Sequence, residues 1–289
     1  MKKYLIGLVS ALLVVGVISG CGGGGSSESE SGSLSLNLTD SVIDATNVES
    51  VYITIMGIQY HTSGGGWQTM DEFEGPRKID LLDLQEGNTT ALGQFTLPSG
   101  HYTQIRFELN ASKKSTSGCY IEYNDGSSDQ PLYVPSGEEK LTGSFDVPVN
   151  GDVNVTADFD IAKSIVAEGN GDFKLKPTIR LIVNNQAGKI KGILTDMVDG
   201  EVYRVYSYED GSWADTEPSD FENSVNSANV KDEDGDLEGE FVLSFLAAGT
   251  YDLVVVTLDT TGAYNGTYKV FDIDAIVQSE EKTEVTLGL

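Results

Sequence analysis

The sequence predicts an all-β fold made of two antiparallel β-sandwich domains. Apolar and polar residues alternate in many short segments. In SLSLNL, for example, Leu34, Leu36 and Leu38 fall on one face of a strand. Turn signals such as PSG at 98–100 and GNGD at 169–172 separate these segments, and none keeps a 3.6-residue apolar period. Short strands with regular turn signals are typical of antiparallel sandwiches.

The chain begins with a segment that resembles a bacterial lipoprotein signal peptide. Two lysines precede fourteen mostly apolar residues, Leu5–Ile18, and the following ISGC, which ends at Cys21, resembles a lipobox with Ile in place of the usual Leu. We expect residues 1–20 to be removed and Cys21 to carry lipid that anchors the protein to a membrane. Residue 22 is Gly rather than Asp, which implies the outer membrane of the cell envelope. The alternative, an uncleaved helix, would span only about 21 Å of a hydrocarbon core of about 30 Å.

The composition is strongly acidic. The 289 residues include 45 Asp and Glu against 18 Lys and Arg, and the formal net charge is −27. Such a surface repels phosphate groups, which excludes nucleic acid as a partner. With Cys21 used for lipidation, Cys119 has no partner for an internal disulfide, and we expect it to be a small buried residue of the strand CYIEY.

Composition divides the rest of the chain into a tether and two domains. Residues 21–32 join the lipidated cysteine to a flexible glycine- and serine-rich segment. We place the first domain at 33–185 and the second at 186–289, because the strand pattern restarts there. The strand candidates of the first domain are SLSLNL, VYITIMGIQYH, WQTM, KIDLLDL, ALGQFTL, YTQIRFEL, CYIEY, PLYV, KLTGSFDV, DVNVTADFDI and FKLKPTIRLIV.

Five segments of the first domain resemble a known family, in order along the chain. They are GSLSLNLTD, VYITIMGIQYHTSGGGW, IDLLDL, LPSGHYTQIRFEL and DFDIAKSIVAEGNGDFKLKPTIRL, within residues 32–183. This pattern is similar to that of the domain of unknown function 4382 (DUF4382) family. The chain departs from it at Ser41-Val42, where the family has Ala-Pro. The resemblance implies a bacterial surface or secreted protein, often a lipoprotein, and it supplies no catalytic residues.

The second domain resembles the carboxypeptidase-regulatory-like, or prealbumin-like, β-sandwich over residues 188–289. The resemblance lies in GKIKGILTD, EVYRVYSY and EDGDLEGEFVLSFLAAGTYDLVVVTLD, with family positions at Gly235, Phe241, Leu246, Gly249, Tyr251 and Leu253. The insertion DLEGE lengthens the hairpin between the first two of these positions. The resemblance implies an immunoglobulin-like or prealbumin-like sandwich, which carries no function by itself.

The segment DEDGDLEGE is the sharpest acidic cluster. It fails the EF-hand pattern, because Leu237 and Leu243 stand where that loop needs Gly and Glu. The carboxylates of Asp232, Asp234 and Asp236 can still converge on Ca²⁺ in another geometry, so Ca²⁺ is the one cofactor that the sequence suggests. A solvated hairpin tip without metal is the alternative.

A second charged set surrounds one strand. Asp158 and Asp160 alternate along it, near the basic residues Lys163, Lys174, Lys176 and Arg180. We expect ion pairs here, because buried charges in a sandwich need partners. A small binding site is the alternative.

Aromatic residues suggest a surface that binds a glycan or a peptide. Trp67 follows a triple-glycine turn and Trp213 follows an Asp-Gly-Ser turn, so these two rings are the candidates for exposure. Exposed rings can stack on a ligand, whereas packing inside the sandwich core is the alternative.

Common hydrolase and nucleotide-binding motifs are absent: the sequence contains no G-x-S-x-G, H-E-x-x-H or P-loop. We therefore expect a non-enzymatic, lipid-anchored envelope protein with a binding or structural role and a glycan or protein partner at the cell surface. Two alternatives stay open. One is an accessory module that binds carbohydrate or peptide and is stabilised by Ca²⁺. The other is a hydrolase, which would need convergent carboxylates in a cleft.

Overall fold

The computed structural model describes residues 30–42, 47–135, 138–141, 143–215, 217, 221–260 and 262–289. Strands account for 60% of the structure and helix for 4%, so the predicted all-β class is confirmed. The predicted signal peptide, Cys21 and most of the tether lie outside the described residues. Within the described ranges, no helix has the length and apolar character needed to cross a membrane.

The N-terminal part of the chain folds into two sheets. Its strands are β1 (Ser31–Asp40), β2 (Val48–Thr62), β3 (Trp67–Thr69), β4 (Arg77–Asp80), β5 (Thr90–Pro98), β6 (Gly100–Leu109), β7 (Tyr120–Tyr123), β8 (Gln130–Tyr133), β9 (Glu138–Leu141), β10 (Phe145–Val147), β11 (Asp152–Asp160), β12 (Ile165–Ala167), β13 (Phe173–Leu175) and β14 (Thr178–Val183). Helix α1 (Ile161–Ser164) follows β11, and a 3₁₀ turn lies at Leu82–Leu84. One sheet has the order β14-β11-β1-β5. The other runs β10-β6-β2-β7-β8-β13-β12, with β3 and β4 on β2 and β9 on β6.

A single apolar core lies between these two sheets. Leu34, Leu36 and Leu38 of β1 are completely buried in it, as the alternation in SLSLNL predicts. Large rings from the other sheet, such as Phe107 and Tyr102, fill the same core. Burial of this apolar surface stabilises the fold and fixes the register of β1, because a one-residue slip would expose all three leucines.

The C-terminal part forms a second pair of sheets. A 3₁₀ turn at Asn184–Gln186 leads into β15 (Ala187–Thr195), β16 (Val202–Glu209), β17 (Asn226–Asn229), β18 (Gly239–Ala247), β19 (Gly249–Leu258), β20 (Tyr264–Val277) and β21 (Lys282–Gly288). The sheet orders are β18-β15-β21 and β17-β16-β19-β20. Leu243, Leu246, Leu253 and Val255 are among the residues of a second apolar core. The predicted domain boundary at 185/186 stays a prediction.

Strand direction differs in part from the prediction. Most neighbouring strands are antiparallel, but β1 pairs in parallel with β11, β8 with β13, and β15 with β21. Side chains alternate with a period of two in parallel and antiparallel strands alike. The sequence pattern therefore reports which face of a strand is buried and carries no information about its direction.

Gly192 on β15 leaves room for the ring of Phe241, its partner on β18. The two residues are opposite each other, Phe241 is 2% exposed, and a Cβ built at Gly192 would lie 2.0 Å from Phe241 Cζ. We expect Gly192→Ala to lower the free energy of unfolding by about 1–2 kcal/mol, because the buried ring must shift. Urea denaturation checks this, with Gly66→Ala as the control, since nothing lies within 4 Å of a Cβ at Gly66. Equal stability of the two variants would contradict the packing described.

Candidate functional site

The outer face of the sheet β17-β16-β19-β20 carries a second group of apolar side chains. Alternation along β16 and β19 directs Tyr206, Tyr208, Val254 and Val256 away from the sandwich core, and Phe221 packs on them. Phe221 belongs to the segment between β16 and β17, so this part of the segment lies over the outer face. The arrangement brings aromatic rings from a loop and a sheet together at the surface.

Trp213, Tyr268 and Asp215 form a group at the margin of this face, here called the Trp213 surface. The Trp213 ring lies 5.4 Å from the ring of Tyr268 between centroids, and Trp213 is half-buried whereas Tyr268 is 41% exposed. Trp213 Nε1 donates to Asp215 Oδ1 at 3.3 Å, and the Tyr268 hydroxyl donates to the same oxygen at 3.4 Å. Two rings and an exposed carboxylate are thus side by side.

The loop that carries the Trp213 surface is held in place by several contacts. The Trp213 ring meets the buried Tyr208 ring edge-on at 5.0 Å, and Phe221 stacks on Tyr206 at 4.2 Å. Glu217 Oε1 accepts from the Tyr208 hydroxyl at 2.9 Å and from the backbone N–H of Asn223 at 2.9 Å. These contacts fix the positions of the rings, so a ligand that bound to them would cost little side-chain entropy.

Trp67 has a different environment. It is half-buried on β3, the carbon of the Arg106 guanidinium lies 4.2 Å from its ring centroid, and His61 meets it edge-on at 5.4 Å. One face of the indole therefore already carries a cation, which contributes an internal cation–π contact. A ligand role for Trp67 stays a prediction, and a ligand would have to use the remaining face.

The three aspartates predicted as metal ligands do come together. One carboxylate oxygen from each of Asp232, Asp234 and Asp236 lies within 4.8 Å of the other two. Both oxygens of Asp232, however, accept from its own loop, from the N–H of Gly235 at 2.7 Å and of Leu237 at 3.1 Å. These bonds hold the turn without a metal, so Ca²⁺ binding at this group stays a prediction.

The predicted ion pairs around Asp158 are confirmed. Asp158, 3% exposed, accepts from Arg180 Nε at 2.7 Å and pairs with Arg180 Nη2 at 2.6 Å. Asp160 pairs with Lys163 at 3.1 Å. Burial raises the pKa of Asp158, and Arg180 opposes this shift. Lys174 and Lys176 form no ion pair within the described ranges.

A second buried acid, Asp40, lies beside this network. Its Oδ1 accepts from the N–H of Ile161 at 3.2 Å, whereas its Oδ2 is buried without a hydrogen-bond partner among the described residues. Burial and the neighbouring charges of Asp158 and Asp160 raise its pKa well above the usual range. Asp40 and Asp158 line a cavity of about 10 Å³, the size of one water molecule. The cluster is too small and enclosed to admit an organic ligand.

Cys119 is buried, as predicted. Its side chain is fully shielded from solvent, its sulfur accepts from the N–H of Thr54 at 3.5 Å, and burial raises the pKa of the thiol to about 11. A thiol with such a pKa carries almost no thiolate at neutral pH and is therefore a poor nucleophile.

Sequence reasoning missed two members of the Trp213 surface. Tyr268 lies on β20 and Asp215 in a loop, 53 residues apart in the chain, and only the pairing of β19 with β20 brings them together. No local motif marks either residue. The Asp-Gly-Ser turn before Trp213 was the one signal available.

Fold and site define an all-β protein with two pairs of packed sheets and a surface group of aromatic rings next to a carboxylate. The chain belongs to the family described as "Domain of unknown function (DUF4382)", whose profile matches residues 31–177, just over half of the chain. The predicted membership is thus confirmed for the first domain. No curated protein matches the chain.

Solved structures are similar to this chain only at a low level. A leucine-rich repeat protein from Bacteroides thetaiotaomicron shares 11% identity at a TM-score of 0.25, covering 90% of this chain and 26% of its own. A gamma-CGTase from alkalophilic Bacillus clarkii shares 10% identity at a TM-score of 0.26, covering 82% of this chain and 36% of its own. A putative adhesin from Bacteroides ovatus shares 9% identity at a TM-score of 0.22, covering 89% of this chain and 92% of its own. The chain spans only about a quarter to a third of the first two structures, and TM-scores this low support no functional argument.

Proposed function

We propose that this protein is a lipid-anchored, non-catalytic binding protein of the bacterial envelope that presents the Trp213 surface to a neutral glycan. The observation that carries the proposal is that Trp213 and Tyr268 stand side by side and both donate to the exposed carboxylate of Asp215. The predicted lipid on Cys21 and the tether hold this surface at the membrane.

The chemistry of the Trp213 surface suits a sugar. The C–H face of a pyranose packs on aromatic rings, and its hydroxyls can donate to a carboxylate such as that of Asp215. The net charge of −27 disfavours anionic ligands. A neutral oligosaccharide satisfies both conditions.

Glycan-array binding tests this surface. We expect Trp213→Ala to lower the affinity for array-positive neutral oligosaccharides by about tenfold, or about 1.4 kcal/mol, because it removes the larger of the two rings. Because Trp213 lies at the margin of its cluster, circular dichroism is expected to show an unchanged fold. Trp67→Ala is the matched control and should bind as the wild type does. The proposal fails if no glycan binds, or if Trp213→Ala binds as well as the wild type.

The anchor has a separate test. Detergent phase partitioning of cells that express the full chain is expected to place the wild type, cleaved before Cys21, in the detergent-rich phase, because the lipid on Cys21 anchors it. Mass spectrometry of the N-terminal peptide should show acyl chains on Cys21. An unmodified Cys21 would contradict lipid anchoring.

A further inference from the structure

Four aspartates that no sequence motif connects meet at one end of the sheet β17-β16-β19-β20. One carboxylate oxygen from each lies within 4.8 Å of the other three. We call this group the β19–β20 acidic site; its members are Asp210, Asp252, Asp272 and Asp274.

Strand pairing explains why these residues converge. Asp252 on β19 is opposite Tyr208 on β16, and Asp210 follows the end of that strand. On the other side, Tyr251 pairs with Ala275 and Leu253 with Phe271, so the three residues 272–274 face the single residue Asp252. Asp274 in this bulge has a φ of 47°. Bulges of this kind redirect side chains, and here Asp272 and Asp274 both reach Asp252.

Asp252 supplies a second, independent observation. It is 4% exposed; its Oδ2 accepts from the N–H of Gly211 at 2.9 Å, and its Oδ1 is buried without a hydrogen-bond partner among the described residues. None of the four aspartates forms an ion pair with Lys or Arg in the described part of the chain. Burial, followed by the charges of Asp272 and Asp210, raises the pKa of Asp252. A buried carboxylate oxygen among three other carboxylates requires a positive partner or a proton.

We propose that the β19–β20 acidic site binds one Ca²⁺ ion. Ca²⁺ takes six to eight oxygens at about 2.3–2.6 Å, so oxygens on opposite sides of the ion lie about 4.6–5.2 Å apart. The four oxygens, all within 4.8 Å of one another, are close enough to contact one such ion. Mg²⁺ holds opposite oxygens about 4.0–4.2 Å apart and usually keeps several waters, so a set of four carboxylates favours Ca²⁺. Three of the aspartates are exposed, which leaves room for waters to complete the coordination.

The ion would join three segments of the chain. Asp210 begins the connection that carries Trp213, Asp252 belongs to β19, and Asp272 belongs to β20. Without a cation, repulsion among the carboxylates opposes this arrangement; with Ca²⁺ bound, the same charges stabilise it. Ca²⁺ binding here does not depend on whether the Trp213 surface binds a glycan.

Thermal unfolding of the full chain in detergent tests the proposal, with Ca²⁺ alone as the probe. We expect Ca²⁺ to raise the Tm of the wild type by several degrees and EGTA to reverse the shift, because a ligand of the native state stabilises it. Asp252→Asn and Asp272→Asn should abolish most of the shift. Asp272 is exposed, so its replacement leaves the core intact. Asp272→Asn therefore tests the site even if Asp252→Asn, at a buried position, fails to fold. Asp234→Asn, in the other acidic group, is the matched control and should keep the full shift.

Three results would overturn the assignment. The first is a wild-type Tm that does not change up to about 10 mM Ca²⁺, a concentration above the usual 10⁻⁴–10⁻³ M range of extracellular sites. The second is a full Tm shift in both Asp252→Asn and Asp272→Asn. The third is loss of the Tm shift in Asp234→Asn. The last result would place the ion at the group that contains Asp232.

Discussion

Replacement of Arg180 by Met is expected to lower the free energy of unfolding by about 3–5 kcal/mol. Arg180 contacts Asp158 Oδ2 through Nη2 at 2.6 Å and Nε at 2.7 Å, and Asp158 is 3% exposed. Met fills a similar volume but leaves the carboxylate buried without a cation, which is costly in a sandwich interior. Asp158 is then expected to take up a proton, because burial already raises its pKa and Arg180 opposes that shift.

Urea denaturation near neutral pH measures this loss. The double variant Arg180→Met/Asp158→Asn is the control, since it removes both charges and should recover a large part of the stability. The loss in Arg180→Met should also shrink as pH falls and Asp158 becomes neutral. A single variant as stable as the wild type, or a double variant less stable than the single, would contradict a buried ion pair at this place.

Asp40→Asn is expected to have the opposite effect and to stabilise the protein by about 2–3 kcal/mol at about pH 8. Asp40 is 4% exposed, its Oδ2 has no hydrogen-bond partner among the described residues, and Asp158 and Asp160 repel its charge. An amide keeps the oxygen that accepts from Ile161 and removes the buried charge. Relief of an unsatisfied buried charge is the source of the gain.

The pH dependence gives this prediction a definite sign. The pKa of Asp40 is raised in the folded state, so the folded protein holds the proton of Asp40 more tightly than the unfolded chain does. The resulting contribution to the free energy of unfolding is complete below the unfolded pKa of about 3.9 and is lost as pH rises through the folded pKa. Asp40→Asn lacks this loss. The difference in unfolding free energy between variant and wild type should therefore be near zero at about pH 4 and grow towards about pH 8. A constant difference, or one that shrinks with rising pH, would contradict a raised pKa for Asp40.

Much of the fold follows from local sequence pattern. Alternation in SLSLNL predicts the burial of Leu34, Leu36 and Leu38, and the expected partners of Asp158 include Arg180, because a buried carboxylate needs a cation. Cys119 is buried as expected, although it lies directly before β7 and not within the strand. Each of these features depends on the residues of one strand or on the general cost of burying charge.

Features that depend on strand pairing were not predictable. The parallel pairing of β1 with β11 joins segments more than a hundred residues apart, and both directions show the same alternation. The β19–β20 acidic site depends on the bulge opposite Asp252, and Tyr268 reaches Asp215 only through the same pairing. In so acidic a chain, no local pattern distinguishes the aspartates that converge from those that stay solvated.

The two tryptophans of the chain allow a direct test of the proposed binding surface. In protein labelled with ¹⁵N-tryptophan, the indole N–H groups of Trp67 and Trp213 give two separate resonances, and Trp213 Nε1 donates to Asp215 at the centre of the surface. We expect titration with an array-positive oligosaccharide to shift the Trp213 resonance and to leave the Trp67 resonance in place. A shift of Trp67 alone, or of neither resonance, would contradict glycan binding at the Trp213 surface.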